Sequence, residues 1–201
     1  MVTQTETTKI VTTPKLQDHV EPSLKRWLKH FLYLPMTKRY FTQQDQNTIA
    51  SAVSLAEQGH VGEIQVVIEG HIPCSTAYRM DSRLRAEQLF AELGVWDTEF
   101  NSGVLLYLNL CDQSVEIVID RGLKKLTSQQ SWDELCTQMI AQLKNKHYCQ
   151  AVCEVVAEIG NIFKAFDQHP SIQHLNSQHP DIQNQNNQNN NELPDRPLII
   201  D

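Results

Sequence analysis

The stretch that decides the fold begins with Glu63-Ile-Gln-Val-Val-Ile-Glu69, which predicts a first β-strand. Two more apolar runs follow it, Gly103-Val-Leu-Leu-Tyr-Leu-Asn-Leu110 and Ser114-Val-Glu-Ile-Val-Ile119. Short runs rich in Val, Ile and Leu between turn residues are typical of strands. Because Asp112-Gln113 is too short for a crossover, the second and third strands are predicted to pair antiparallel.

The segment between the first two strands predicts a helix over residues 81–94. Its apolar residues fall on one face, and they are Ala86, Leu89, Phe90 and Leu93. A strand–helix–strand connection normally returns the second strand parallel to the first. The starts of the first two strands and the end of the third should then lie at one edge of the sheet.

Further helices are predicted on both sides of this unit, over residues 22–34, 42–58 and from 131 to 166 with a break near His147. Thr42-Gln-Gln-Asp45 and Ser131-Trp-Asp-Glu134 both resemble capping boxes that open a helix. Four or five helices around a small mixed sheet of three to four strands predict an α/β fold, a three-layer α/β/α sandwich.

The first of these helices is basic and amphipathic. Its apolar side holds Leu24, Trp27, Leu28, Phe31 and Leu32, and its polar side holds Lys25, Arg26, Lys29 and His30. Such a helix packs on its own domain or lies on an anionic membrane surface. We expect the first arrangement.

Composition restricts the class of protein. The chain has 201 residues, enough for one domain with tails, and a formal net charge of −7, which argues against nucleic-acid binding. There is no secretory signal pattern and no apolar run of the roughly 18 residues that span a bilayer. We therefore expect a cytoplasmic protein, or one peripheral at the inner membrane face.

The five cysteines give little indication of a metal or a disulfide framework, because their number is odd and no Cys-x-x-Cys occurs. Cys149 and Cys153 lie four residues apart on a predicted helix. They are either packing residues, which we expect, or a pair of metal ligands. No organic cofactor is predicted.

The chain divides into four predicted parts. Residues 1–20 form a mobile N-terminus, and residues 21–166 form the α/β domain. Residues 167–191 are rich in Asn, Gln and His, a composition that predicts a disordered linker. Residues 192–201 form a short motif that docks on this chain or on another one.

Candidate chemistry lies at the sheet edge, since no Gly-x-Ser-x-Gly, P-loop or His-Glu-x-x-His motif occurs. Glu63, Asp97, Asn101 and Asp120 offer hard oxygen ligands of the kind that Ca²⁺ or Mg²⁺ prefers. A metal there would polarise a phosphoryl oxygen and activate water, while Arg121 neutralises the negative charge of the substrate. Asp97, Asp120 and Arg121 are the predicted catalytic residues. The alternative is structural, because Asp and Asn also cap helices and form turns.

Several segments in this order resemble the TPM domain, which occurs in thylakoid-lumen and bacterial proteins. They are Gly62-Glu-Ile64, residues 83–90, Val95-Trp-Asp-Thr98, Asn101-Ser-Gly-Val-Leu-Leu106, Val115-Glu-Ile-Val-Ile-Asp-Arg-Gly122 and Trp132. The closing Asn191-Glu-Leu-Pro-Asp195 resembles a bacterial subgroup often encoded beside LemA-like membrane proteins.

This resemblance implies an α/β/α fold, binding of a divalent cation and an acid-phosphatase activity. By motif match, the residues that would inherit these roles are Glu63, Asp97, Asn101 and Asp120, with Arg121. The alternative function is a non-enzymatic adaptor that binds a membrane-associated protein, for which a LemA-like protein is the expected partner.

Overall fold

A computed structural model describes residues 20–34, 37–125, 127–168 and 191–201. Its four strands form one mixed sheet in the order β3-β2-β1-β4. The strands are β1 (Glu63–Glu69), β2 (Gly103–Asn109), β3 (Ser114–Ile119) and β4 (Leu198–Ile200). β1 pairs parallel with β2, and β2 pairs antiparallel with β3, as the sequence predicts.

Eight helices occur among the described residues. They are α1 (Leu24–Phe31), α2 (Thr37–Tyr40), α3 (Gln43–Glu57), α4 (Cys74–Ala77), α5 (Ser82–Glu92), α6 (Arg121–Lys124), α7 (Gln129–Lys144) and α8 (Tyr148–Asp167). Five have eight or more residues and correspond to the predicted helices. The other three have four residues each, too few for a helical period to show in the sequence.

Helices cover both faces of the sheet and give the predicted three-layer α/β/α sandwich. Because side chains alternate along a strand, Ile64, Val66 and Ile68 enter one core, whereas Val67 enters the other. The larger core is closed by α3, α7 and α8, and the smaller one by α5. The sheet is therefore buried between two layers, and only its edges and loops remain for a site.

One predicted helix start is confirmed and the other is wrong. Thr42 forms the capping box, because its Oγ1 accepts from the Asp45 amide at 3.2 Å while Asp45 Oδ2 accepts from the Thr42 amide at 2.8 Å. Ser131 does not open α7. The cap is Ser128, whose Oγ accepts from the Ser131 amide at 3.2 Å, so the helix begins one turn earlier.

The helix α1 packs on its own domain, as expected, but it does so through its polar side. Its apolar side faces away from the domain, with Leu24 72%, Leu28 48% and Phe31 61% exposed. The buried residue is His30, from the predicted polar side, and it is 1% exposed. Polar contacts rather than apolar ones hold α1 in place.

The closing motif lies on its own chain, where Leu198–Ile200 extends the sheet as β4, parallel to β1. The predicted mobile N-terminus and linker lie almost wholly in residues 1–19 and 169–190, outside the described residues.

Cys149 and Cys153 are half-buried beside the larger core. Among the described residues, no helix combines the length and the apolar character needed to cross a bilayer.

Candidate functional site

The predicted convergence at one sheet edge is present. Glu63, the first residue of β1, is the register partner of Gly103, the first residue of β2. Asp120, directly after β3, donates its amide to the Gly103 carbonyl at 2.9 Å, and the Gly122 amide reaches the Asn101 carbonyl at 3.0 Å. The loop between α5 and β2 and the start of α6 therefore meet at this edge.

Two glycines make that close approach possible. A Cβ on Gly103 would lie 1.9 Å from the Val95 carbonyl oxygen, and one on Gly122 would lie 2.5 Å from the Asn101 carbonyl oxygen. Any larger residue would push the loop outward. Asn101 itself adopts φ 53°, a left-handed conformation that Asn tolerates better than most residues.

A cleft of about 540 Å³ opens at this edge. Its lining residues are Trp96, Asp97, Thr98, Glu99, Asn101, Arg121 and Glu192. Three of the five predicted site residues line it, namely Asp97, Asn101 and Arg121. Within the cleft, Arg121 Nε donates to Asn101 Oδ1 at 2.7 Å, so the amide oxygen predicted as a metal ligand already accepts from a cation.

Asp120 lies beside the cleft rather than in its lining. It is 3% exposed, and its Oδ1 accepts from the Arg121 amide at 2.6 Å as the cap of α6. Its Oδ2 is buried without a hydrogen-bond partner. Burial raises the pKa of Asp120, and the amide and charge of Arg121 oppose that rise. An orphaned carboxylate oxygen of this kind costs free energy that a cation would offset.

Glu63 lies beneath the C-terminal segment instead of in the cleft. It is 7% exposed, and its Oε2 accepts from the Leu193 amide at 3.2 Å. Burial raises the pKa of Glu63 to about 7, although the amides of Leu193 and Glu192 lower it. Glu63 therefore bonds to the C-terminal segment and does not line the cleft.

Glu99 and Glu192 belong to the site but were not predicted. The Glu99 amide donates to Glu192 Oε1 at 3.4 Å, which brings the C-terminal segment to the cleft. Burial, followed by the negative charges of Glu99 and Asp97, raises the pKa of Glu192, while the Glu99 amide opposes this. The contact joins residues more than 90 positions apart, and no local sequence pattern indicates it.

The acidic groups of the edge are neighbours, but they do not form a closed cage. A metal site needs at least three donor atoms from His, Cys, Asp or Glu close together. In the described part of the chain, one such group has its donor atoms within 4.8 Å of one another, and it consists of His30, Cys111 and Asp112. A cation in the cleft would thus draw Asp97, Glu99 and Glu192 closer together, since their donor atoms do not meet that spacing.

The His30 group lies at the opposite edge of the sheet and is engaged in hydrogen bonds. His30 Nδ1 accepts from the Ile72 amide at 3.1 Å, so the proton of a neutral ring sits on Nε2. That nitrogen lies 3.2 Å from Asp112 Oδ2 and donates to it. Neither ring nitrogen keeps a free lone pair, and the group acts as a structural contact between α1 and the β2–β3 turn.

Fold and cleft together define a small α/β protein with an acidic site at the edge of a mixed sheet. The chain matches the TPM domain over residues 37–162, more than half of its 201 residues, and therefore belongs to the TPM domain family. The predicted resemblance is confirmed.

The solved NMR structure of BA42 protein from the psychrophilic bacterium Bizionia argentinensis is similar to this chain, with a TM-score of 0.61. The two share 21% sequence identity, and the match covers 79% of this chain and 94% of that chain. At 21% identity, this similarity shows a shared fold alone. No curated protein matches the chain.

Proposed function

We propose that this TPM-domain protein binds a divalent cation, Ca²⁺ or Mg²⁺, in the cleft at the sheet edge and hydrolyses a phosphate ester there. The observation that carries the proposal is that Asp97, Glu99 and Glu192 line a single cleft of about 540 Å³, beside Arg121. Three carboxylates that repel one another favour a cation, and their hard oxygens suit these two metals.

The residues present fit such an ion in their chemistry. Asp97, Glu99 and Glu192 would hold it. Asp120, whose Oδ2 has no hydrogen-bond partner, lies beside the cleft next to Arg121. Asn101 Oδ1 accepts from Arg121 Nε and would join more readily once that cationic group turns to the substrate. Glu63 would contribute only after the segment with Leu193 moves.

In the proposed reaction, a cation held by Asp97, Glu99 and Glu192 would supply the charge that activates water and polarises a phosphoryl oxygen. Arg121 binds the anionic substrate, because its planar guanidinium is exposed at the cleft and can pair with two phosphate oxygens at once. On leaving Asn101 for the substrate, Arg121 also frees the amide oxygen. Substrate binding and completion of the cation site would thereby support each other.

Thermal melts with Ca²⁺, Mg²⁺, Mn²⁺ and Zn²⁺ test the cation site on wild type, Asp97→Asn, Glu192→Gln and Asp120→Asn. At one hundred times the dissociation constant, a ligand of the folded state adds about 2.7 kcal/mol. For a domain of this size that raises Tm by roughly 5–10 °C. We expect the three variants to lose most of the rise.

Glu134→Gln is the matched control, since Glu134 is exposed on α7 and, among the described residues, hydrogen-bonds within its own helix to Gln130. It should keep the full cation response. Absence of any shift in wild type would refute the cation site. With the stabilising ion present, hydrolysis of p-nitrophenyl phosphate that falls at least tenfold in Arg121→Ala would support the enzyme; a shift without hydrolysis leaves a cation-binding protein.

A second candidate function is the adaptor, and the observation that favours it is the exposed apolar side of α1. Leu24, Leu28 and Phe31 are available to a membrane-associated partner, for which a LemA-like protein is the proposed case. Residues 198–200 are less available, because β4 already pairs with β1. Binding of that partner to wild type, lost in Leu28→Glu but kept in Arg121→Ala, would support the adaptor.

A further inference from the structure

A second cavity, of about 610 Å³, lies at the opposite end of the sheet from the cleft. Its walls come from the end of α1, the end of β2 and its turn into β3, the last turn of α7 and the first residue of α8. Cavities of roughly 300–1,000 Å³ are the usual size of small-molecule sites. None of its lining residues is shared with the cleft.

The charge of this cavity is opposite to that of the whole protein. Three lysines line it, Lys29, Lys144 and Lys146, and no Asp or Glu does, although the chain has a net charge of −7. Lys29 Nζ pairs with Asp112 Oδ1 at 2.9 Å. Lys144 and Lys146 have no ion-pair partner among the described residues, so their charges are available to an anion.

The rest of the lining is largely apolar. Leu32, Leu110, Ile140 and Leu143 contribute aliphatic surface, and Leu32 is 66% exposed although it borders a cavity. Removal of such aliphatic surface from water is favourable, so the cavity suits a ligand with a hydrocarbon part.

One polar atom in the lining also lacks a partner. Ser114 Oγ is buried and forms no hydrogen bond within the described structure. A buried hydroxyl without a partner is unfavourable and normally bonds to protein, water or ligand. It gives the cavity a polar contact in addition to the two lysines.

We propose that this cavity binds a single-chain anionic amphiphile of the fatty-acid class. The carboxylate pairs with Lys144 and Lys146, and the hydrocarbon chain lies against Leu110, Ile140 and Leu143. Charge complementarity selects the head group, and the aliphatic wall selects the tail. The site is independent of the proposed function, because it lies at the other end of the sheet.

Isothermal titration of the full chain with decanoate, below its micellar concentration, tests the proposal. We expect saturable binding of one decanoate per chain and at least tenfold weaker binding of decyltrimethylammonium, which has the same tail and the opposite charge. The double variant Lys144→Glu/Lys146→Glu should weaken decanoate binding at least tenfold. Lys124→Glu/Lys125→Glu carries the same charge change on exposed residues outside the cavity and should stay within twofold of wild type.

A substitution in the apolar wall of the cavity tests the binding site without changing its charge. Ile140→Trp fills the cavity and should abolish decanoate binding, while the far-ultraviolet circular dichroism spectrum stays that of the wild type. Absence of saturable binding to wild type would overturn the proposal. Equal binding of the cationic amphiphile, or an equal loss in the two lysine pairs, would overturn the assignment of the head group to Lys144 and Lys146.

Discussion

A buried ion pair connects α5 to the last residue of β1, an inner strand of the sheet. Glu69, at the end of β1, is 0% exposed, and its Oε1 lies 2.9 Å from Arg85 Nη2. The Tyr107 hydroxyl donates to Glu69 Oε2 at 2.5 Å, and Asn109 Nδ2 donates to that hydroxyl at 2.9 Å. Burial and the charge of Glu69 raise the pKa of Tyr107, so it remains a neutral donor.

Arg85→Ala should therefore destabilise the fold by about 3–5 kcal/mol, because it leaves the Glu69 carboxylate buried without its cation. Urea unfolding followed by circular dichroism measures the loss. Arg79→Ala, at an exposed arginine just before α5, should change stability by less than about 0.5 kcal/mol. Similar losses in the two variants would contradict the role of the buried pair.

The sequence predicts the positions of several site residues but not their side-chain contacts or their burial. The edge residues Asp97, Asn101 and Arg121 were predictable, because strand order alone brings their positions together. The hydrogen bond from Arg121 to Asn101 was not, since it depends on side-chain rotamers. The burial of Asp120 and Glu63 likewise depends on chain segments that pack over them.

Among the elements, α1 is held by its polar side. His30 bridges the Ile72 amide and Asp112, and Arg26 Nε donates to the Ala77 carbonyl at 2.6 Å. The adjacent Ser23 amide donates to the Tyr78 carbonyl at 2.9 Å. The helix is attached by a few directional bonds instead of by an apolar interface.

His30→Ala should release α1 while the rest of the fold persists. The substitution leaves the Ile72 amide without its acceptor, at a cost of about 1–3 kcal/mol. Hydrogen exchange should show lost protection over residues 24–31 and unchanged protection in α8. Phe31→Ala removes an exposed ring from the same helix and should leave protection unchanged; lost protection in α8 of the His30 variant would contradict a local role.

The strands were predicted better than α1 for a physical reason. Strands buried on both faces are continuous apolar runs, so β1 and β3 have the predicted bounds and β2 ends one residue early. In α1 the amphipathic pattern predicted a helix, but a pattern does not tell which side meets the domain. A three-residue strand such as β4 is too short to be predicted without its partner.

Across the whole molecule, two carboxyl groups connect β1 to its neighbours. Buried Glu63 bonds to the C-terminal segment, and half-buried Glu57 of α3 bonds to β1. Glu57 Oε1 accepts from the Ile64 amide at 2.6 Å, and burial, followed by the charge of Glu63, raises the pKa of Glu57 to about 9. Burial raises the pKa of Glu63 to about 7. The ordinary pKa of both groups is 4.5, so folding favours their neutral forms.

The sign of the pH dependence follows from these raised values. The contribution of both groups to stability is complete below about pH 4.5 and is lost as the pH rises through about 7 for Glu63 and about 9 for Glu57. We expect these groups to lower the free energy of unfolding by at least about 1 kcal/mol between pH 5 and pH 8.

Glu57→Gln, which mimics the neutral carboxyl group, should reduce this pH dependence and stabilise the protein at pH 8. Urea unfolding at both pH values provides the measurement. Glu158→Gln, at an exposed position on α8, should retain the wild-type dependence. An unchanged pH profile in Glu57→Gln would contradict the raised pKa.

The placement of β4 has a consequence for association between chains. β4 covers the outer edge of β1, the strand that carries Glu63 and Glu69, over Val67, Ile68 and Glu69. An uncovered edge offers unpaired amides and carbonyls that template pairing with another chain. Release or truncation of residues 198–200 would thus expose the edge of β1 to pairing with another chain, and the first sign would be aggregation rather than unfolding.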